Sequence, residues 1–191
     1  MGDVTPSPTA RRIAGIDGLL ELLDAGRLAV DPHHAEETDV LTHGLRCAAV
    51  LETTAPGDLE LQVAGLVHDL GSILDPGDPT HHPEVGADAV GPLLGRRVAG
   101  LVAGHDEAAR YLCTVDVHYR ERLGPEARAH LRRLGGLMDP GERCAFLERP
   151  DADALVTLRR ADDTARSPDG RVPGLDHWTL ALYAVAATAR P

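Results

Sequence analysis

Leu59-Glu60-Leu61-Gln62-Val63-Ala64-Gly65-Leu66-Val67-His68-Asp69-Leu70-Gly71 is the stretch on which the reading of the fold turns. An apolar run from Val63 to Val67 carries a His-Asp pair and stops at Gly71. Adjacent residues on a helix point about 100° apart, so His68 and Asp69 would not ordinarily face the same partner. A metal reached by both is one economical reason to keep the pair beside a buried run. Imidazole nitrogen and carboxylate oxygen suit iron, manganese or zinc. The plain alternative is a buried histidine near a helix end capped by Gly71. The dipeptide alone favours that alternative; the rest of the chain shifts the balance.

Working outward, Ala55-Pro56-Gly57-Asp58 reads as a turn, with Asp58 as the N-cap of a helix to about Leu70. The helix before it is expected to start near Glu36–Thr38 and run to about Thr54. Its stripe of Val40, His43, Cys47, Val50 and Thr54 puts His43 on the apolar face. Ile13, Ile16, Leu19, Leu20 and Leu23 mark an earlier helix, and Asp31-Pro32-His33-His34 a loop between the two. Downstream, Gly71 to Pro83 reads as an excursion ending in His81-His82. A helix from Pro83 should turn Val85, Ala89 and Leu93 inward and end near Gly95. The next, Arg97 to Leu112, carries Leu101, His105, Ala108 and Leu112 at helical spacing, so His105 also faces inward. Short helices follow over 125–134 and 139–147. The segment 151–165 aligns Leu155, Leu158 and Asp162, and 175–187 is a last helix. There is no alternating strand pattern and no repeat. The expected fold is all-α, a single compact helical bundle over residues 10–191 behind a flexible 1–9.

The bulk numbers agree with an ordinary globule: 191 residues, 43% hydrophobic. No apolar run approaches the ~20 residues of a membrane span, and Met1 to Thr9 lacks the apolar core of a secretory signal. The cytoplasm is the expected location, with no membrane partner. Cys47, Cys113 and Cys144 are widely spaced and suggest neither a disulfide framework nor a thiolate metal site. A net charge of −11 argues against nucleic acid as a partner, though not against a small anionic substrate in a locally basic pocket. The oligomeric state is not legible. Aromatic residues make up only 3% of the chain, yet histidines number 10, so imidazole is not being used as a core filler.

The polar residues placed inward are His43, His68, Asp69, His82, His105 and Asp162, from five separate segments. Their burial together would be costly unless they were paired or metal-bound. Six ligands exceed one closed tetrahedral zinc site and suit two metals sharing a carboxylate. Asp69 is expected to bridge a His43/His68/Asp162 side and a His82/His105 side. His34, His81, His118, His130 and His177 read as surface or loop residues. Apart from Arg159, few basic residues are expected near the ligands.

The order H…HD…H…H…D on helices resembles the HD-domain superfamily, and the two additional histidines resemble its dinuclear members. The segment from His33 to His43 resembles the entry to the first ligand in the mixed-valence diiron oxygenases, the group of myo-inositol oxygenase and the hydroxyphosphonate-cleaving oxygenases. Ala108-Ala-Arg-Tyr-Leu-Cys113, Arg159-Arg-Ala-Asp-Asp163 and Pro173-Gly-Leu-Asp-His177 are similar to the phosphonate branch, so the likeness runs from about Ala35 to His177. His82-Pro-Glu-Val-Gly86 selects His82 over His81 as the ligand. The resemblance implies that Glu36 contacts a substrate amine, that His33 stands where a tyrosine usually caps the empty site, and that Arg159 meets an anionic group. The chain departs from the branch at Ser72, where a phosphonate-contacting histidine is usual, at Ala109, where a lysine is usual, and at Ala127, in place of a serine.

The resemblance thus implies an oxygenase of a small hydroxylated substrate, with an Fe(II)/Fe(III) pair and O2 as co-substrate. A metal-dependent phosphohydrolase is the competing reading, and a non-catalytic binding module a third, disfavoured by the complete ligand set. The three departures suggest a substrate whose anion is a carboxylate or a differently placed phosphonate, with an amine at Glu36. On that reading 2-amino-1-hydroxyethylphosphonate should be a poor substrate.

Overall fold

The computed structural model describes residues 13–29, 39–76, 80–166 and 172–189. The described residues form helices and no β-strand, so the fold is all-α. In chain order these are α1 (Gly15–Ala25), α2 (Val40–Thr54), α3 (Leu59–Val67), α4 (Leu70–Leu74), α5 (His82–Val115), α6 (Val117–Glu121), α7 (Pro125–Arg133), α8 (Pro140–Leu147), α9 (Ala152–Ala165) and α10 (Leu175–Thr188). None of them is long and apolar enough to cross a membrane.

The centre of the bundle is α2, α3, α5 and α9. α2 packs on α3 and α9, and α5 packs on α3, α4 and α9. α10 closes one side against α1, α3 and α5. The apolar stripes meet in one core that includes Leu19, Leu41, Leu51, Val63, Val90, Leu101, Leu155, Leu158, Trp178 and Leu182. Burial of such side chains, at about 1.5–3 kcal/mol each, is what offsets the ordering of the chain.

Several elements differ from their expected form. α2 begins at Val40 rather than near 36–38, because Asp39 is extended and its side chain accepts from Thr42 N–H at 2.8 Å, an N-cap that fixes the start. The segment 58–70 is not one helix: α3 ends at Val67 and α4 begins at Leu70. Gly71 is therefore inside α4 and is no cap. α5 is broken at Gly95, whose φ of +85° is left-handed, close to the expected boundary between two helices. In its first half the buried stripe is Pro83, Ala87, Val90 and Leu94, with Val85, Ala89 and Leu93 only half-buried. The stripe is displaced because α5 starts with His82 itself turned into the core.

Candidate metal centre

His43 lies on α2 and is fully buried. Gly44, next to it, permits the close packing of α2 on α3: a β-carbon there would run into the carbonyl of Leu66. At the end of α3 His68 keeps helical angles (φ −60°, ψ −33°), but Asp69 departs to φ −96°, ψ 11°. This break re-aims Asp69, and two sequence neighbours face one centre despite the helical offset. Gly71 then brings α4 against the first turn of α5, where a β-carbon would collide with the carbonyl of His82. His82 opens α5, His105 follows beyond the Gly95 break, and Asp162 comes from α9. All six residues are at most 7% exposed.

The two oxygens of Asp69 divide the cluster. Oδ2 stands 3.1 Å from His68 Nε2 and 3.7 Å from His43 Nε2. Oδ1 stands 3.3 Å from His82 Nε2 and 3.7 Å from His105 Nε2. Asp162 Oδ1 joins the first side, 3.0 Å from His43 Nε2 and 4.0 Å from His68 Nε2. His43, His68 and Asp69 form one compact donor group, and Asp69, His82 and His105 a second, each with its donor atoms within 4.8 Å of one another. Donors about 2.1 Å from a common ion stand roughly 3 Å apart at right angles, so the spacing suits two ions sharing Asp69.

The ring nitrogens fit the same reading. His68 Nδ1 lies 2.9 Å from the Gly65 carbonyl and His105 Nδ1 2.7 Å from that of Val102. A ring nitrogen facing a carbonyl must carry the proton, so both rings turn a bare Nε2 inward. His68 Nε2 is buried without a hydrogen bond although Asp69 is near. Two lone pairs facing one another are relieved by a proton or by a metal. Without metal, burial opposes a charge on His68, but Asp69 and Asp162 outweigh it and lift its pKa to about 9. Burial pushes His105 down to about 4. Asp69 and Asp162 stay well below the usual carboxylate range: burial opposes this, but His68 beside Asp69 and Arg159 beside Asp162 prevail.

The supporting shell is also buried. Arg159, 6% exposed, places Nη1 2.9 Å from Asp162 Oδ2 and donates to Asp163 Oδ1 at 2.6 Å and to the Tyr119 hydroxyl at 3.2 Å. Tyr119 donates to Asp163 Oδ2 at 2.7 Å. Asp106 pairs with His130 Nε2 at 2.8 Å. A narrow pocket of about 60 Å3 opens beside the Asp69/His82/His105 side. Arg159, Arg166, Arg133 and His130 line it with Tyr119 and a wall of Ala109, Ala127, Leu123 and Leu131. Pockets for drug-sized ligands run to roughly 300–1,000 Å3, so this one suits a much smaller molecule.

No family model matches the chain. It is 32% identical over 173 residues to the hydroxymethylphosphonate dioxygenase of Gimesia maris, in an alignment covering 85% of this chain and 84% of that protein. The chain belongs to the family of that dioxygenase. A buried His/Asp cluster able to hold metal is thus found in a member of a dioxygenase family.

Within this dioxygenase-family chain, the six inward residues read from the sequence converge on one buried centre, and Arg159 lines its pocket. His82 is buried and His81 exposed. Ser72 is not among the pocket's lining residues; it is buried, and its hydroxyl makes no hydrogen bond. His33 and Glu36 lie outside the described residues, as does the 1–9 segment expected to be flexible. Two expectations are corrected. His130 is no surface residue but packs onto Asp106 at the pocket wall. The neighbourhood is also not poor in cations, since Arg133 and Arg166 join Arg159 there. Arg166 was legible in principle, four residues after Asp162 on the same face of α9. Asp106, Tyr119 and His130 carried no such signal, because their partners come from distant segments.

Proposed function

We propose that the chain is a dinuclear-iron, O2-dependent oxygenase of the HD-domain type that cleaves a small α-hydroxyphosphonate, with hydroxymethylphosphonate as the first candidate. The observation that carries this is Asp69, whose two oxygens each face a separate set of imidazoles. The relative's name supports the oxygenase class and the phosphonate, in preference to a carboxylate. The proposed ligands are His43, His68, Asp69, His82, His105 and Asp162. When bound, the irons would supply the one-electron chemistry that O2 requires and acidify a substrate hydroxyl.

The chain's own groups bind, orient and exclude. Asp69 fixes the spacing of the two sides. Arg159 holds Asp162 in place and keeps it ionised. The Leu123/Leu131 wall keeps the pocket small and dry, which strengthens every charge contact inside it. Its arginines receive the anionic head, while the α-hydroxyl points toward the centre. Both oxygen atoms of O2 enter products: breaking the C–P bond of hydroxymethylphosphonate and adding one oxygen to each fragment gives formate and phosphate.

Iron-loaded protein with hydroxymethylphosphonate should consume one O2 per phosphate released and release none anaerobically. Phosphate release from p-nitrophenyl phosphate without O2 would instead favour the phosphohydrolase reading, which the arginines of the pocket also serve. No O2 uptake with any small hydroxyphosphonate would defeat the proposal.

A further inference from the structure

Among the charged side chains that line the pocket, Glu126 sits exposed in the first turn of α7. Asp69 and Asp162 face the donor cluster. Arg159 commits Nε to Tyr119, Nη1 to Asp162 and Nη2 to Asp163. Asp106 is taken by His130, whose Nδ1 lies 3.3 Å from Arg133 Nη2. Arg166 is different. Its Nη2 reaches Asp162 Oδ1 only at 3.4 Å, and its Nε is buried without a hydrogen bond. The carboxylate oxygen nearest to that Nε, Asp163 Oδ1, is 3.8 Å away and already accepts from Arg159 at 2.6 Å.

A buried donor on a charged group is costly to leave unmet. An arginine at a helix C-terminus is ordinarily explained by the helix dipole, but that role leaves its donors in water. Arg166 instead lines both the pocket and the adjoining groove with Arg122 and Arg160. The pocket's other side offers apolar carbons and two charged donors, His130 and Arg133, the first paired with Asp106 and the second directed at the His130 ring. An anionic head entering beside the donor cluster is therefore drawn to the α9 side.

We propose that Arg166 is the residue that binds the substrate's phosphonate, with Arg159 serving chiefly to hold Asp162. This deepens the proposed oxygenase reading and rests on it. The substrate class it selects is a small α-hydroxyphosphonate whose head is gripped one helical turn beyond Asp162, without contribution from positions 72, 109 or 127.

The test uses methylphosphonate, which has no hydroxyl to oxidise, titrated calorimetrically into anaerobic iron-loaded protein. Arg166→Gln should weaken its binding on the order of ten- to a hundredfold with iron content unchanged. Arg166→Lys, which keeps the charge but not the fork, should fall between. Arg122→Gln, in the groove only, should change affinity by less than about threefold. Arg166→Gln binding as tightly as wild type would overturn the proposal, and so would a loss of iron that accounts for all of its weakened binding. Should Arg166→Gln not fold, Arg166→Lys decides by the same criteria. O2 uptake by wild type with hydroxymethylphosphonate separates the two readings: uptake with unchanged Arg166→Gln binding refutes only the role of Arg166, whereas absence of both uptake and methylphosphonate binding in wild type refutes both.

Discussion

Asp69 is the residue on which both sides of the cluster depend, because each of its oxygens serves a different group of imidazoles. Asp69→Ala should therefore empty both positions rather than one, read as iron per chain by mass spectrometry. Retention of one iron would show that the carboxylate is not shared. Arg159 acts one bond further out. It is buried against Asp162, and removing one partner of such a pair leaves the other charge uncompensated. Arg159→Met should cost the metal-free protein about 3 kcal/mol in urea unfolding, with added iron recovering part of that. At this scale the sequence was informative where a polar residue fell on an apolar stripe, as with His43, His105 and Asp162. It was less specific where the stripe was polar already: Arg166 stands four residues after Asp162, yet in Asp-Asp-Thr-Ala-Arg a solvated face and a pocket wall look alike.

Helix ends and near-contacts decide where the side chains go. Gly71 is the clearest case. The sequence presented it as a helix terminator, but it lies inside α4 and makes room for the His82 carbonyl. The distinction could not be read from residue order, because the close neighbour is eleven residues away across a loop. Gly71→Ala should force α4 and α5 apart, cost about 1–3 kcal/mol and lower iron content. A crystal structure of the variant with His82 unmoved would contradict this. Asp58 caps α3, accepting from Leu61 N–H at 3.1 Å and from Arg97 at 2.6 Å. The Arg97 bonds, with the Leu61 contact and against burial, hold its carboxyl below its ordinary 3.8. Its contribution is thus present above that value and lost as the pH falls below it. Asp58→Ala should destabilise by about 1 kcal/mol at neutral pH, and the gap between variant and wild type should close below pH 3.8. A gap that persists to lower pH would mean that the carboxylate's charge is not what matters.

For the molecule as a whole, periodicity was enough to read an all-α fold. It placed the α5 boundary near Gly95 and His43, His105 and Asp162 on inward faces, because helical spacing is a local property of the sequence. Convergence is not local: the break at His68-Asp69 and the packing of α6 and α7 over the pocket depend on contacts between distant segments. The chain's net charge of −11 likewise concealed the arginines gathered around one opening. Glu36, proposed to meet a substrate amine, should distinguish two phosphonates. Glu36→Gln should raise KM for 2-amino-1-hydroxyethylphosphonate and leave that for hydroxymethylphosphonate unchanged. Equal effects on both would remove the amine contact from the account.

The break in α5 sets the two halves of the donor cluster on different footings. His43, His68 and Asp162 come from α2, α3 and α9, helices packed against one another. His82 and His105 come from one element interrupted between them at Gly95. Any flexing at that joint changes the separation of the second pair and leaves the first alone. The two positions should therefore differ in affinity and in exchange rate. Anaerobic titration with ferrous ion should show two successive equivalents, the first held by the His43 side and slow to leave under a chelator, the second acquired later and stripped sooner.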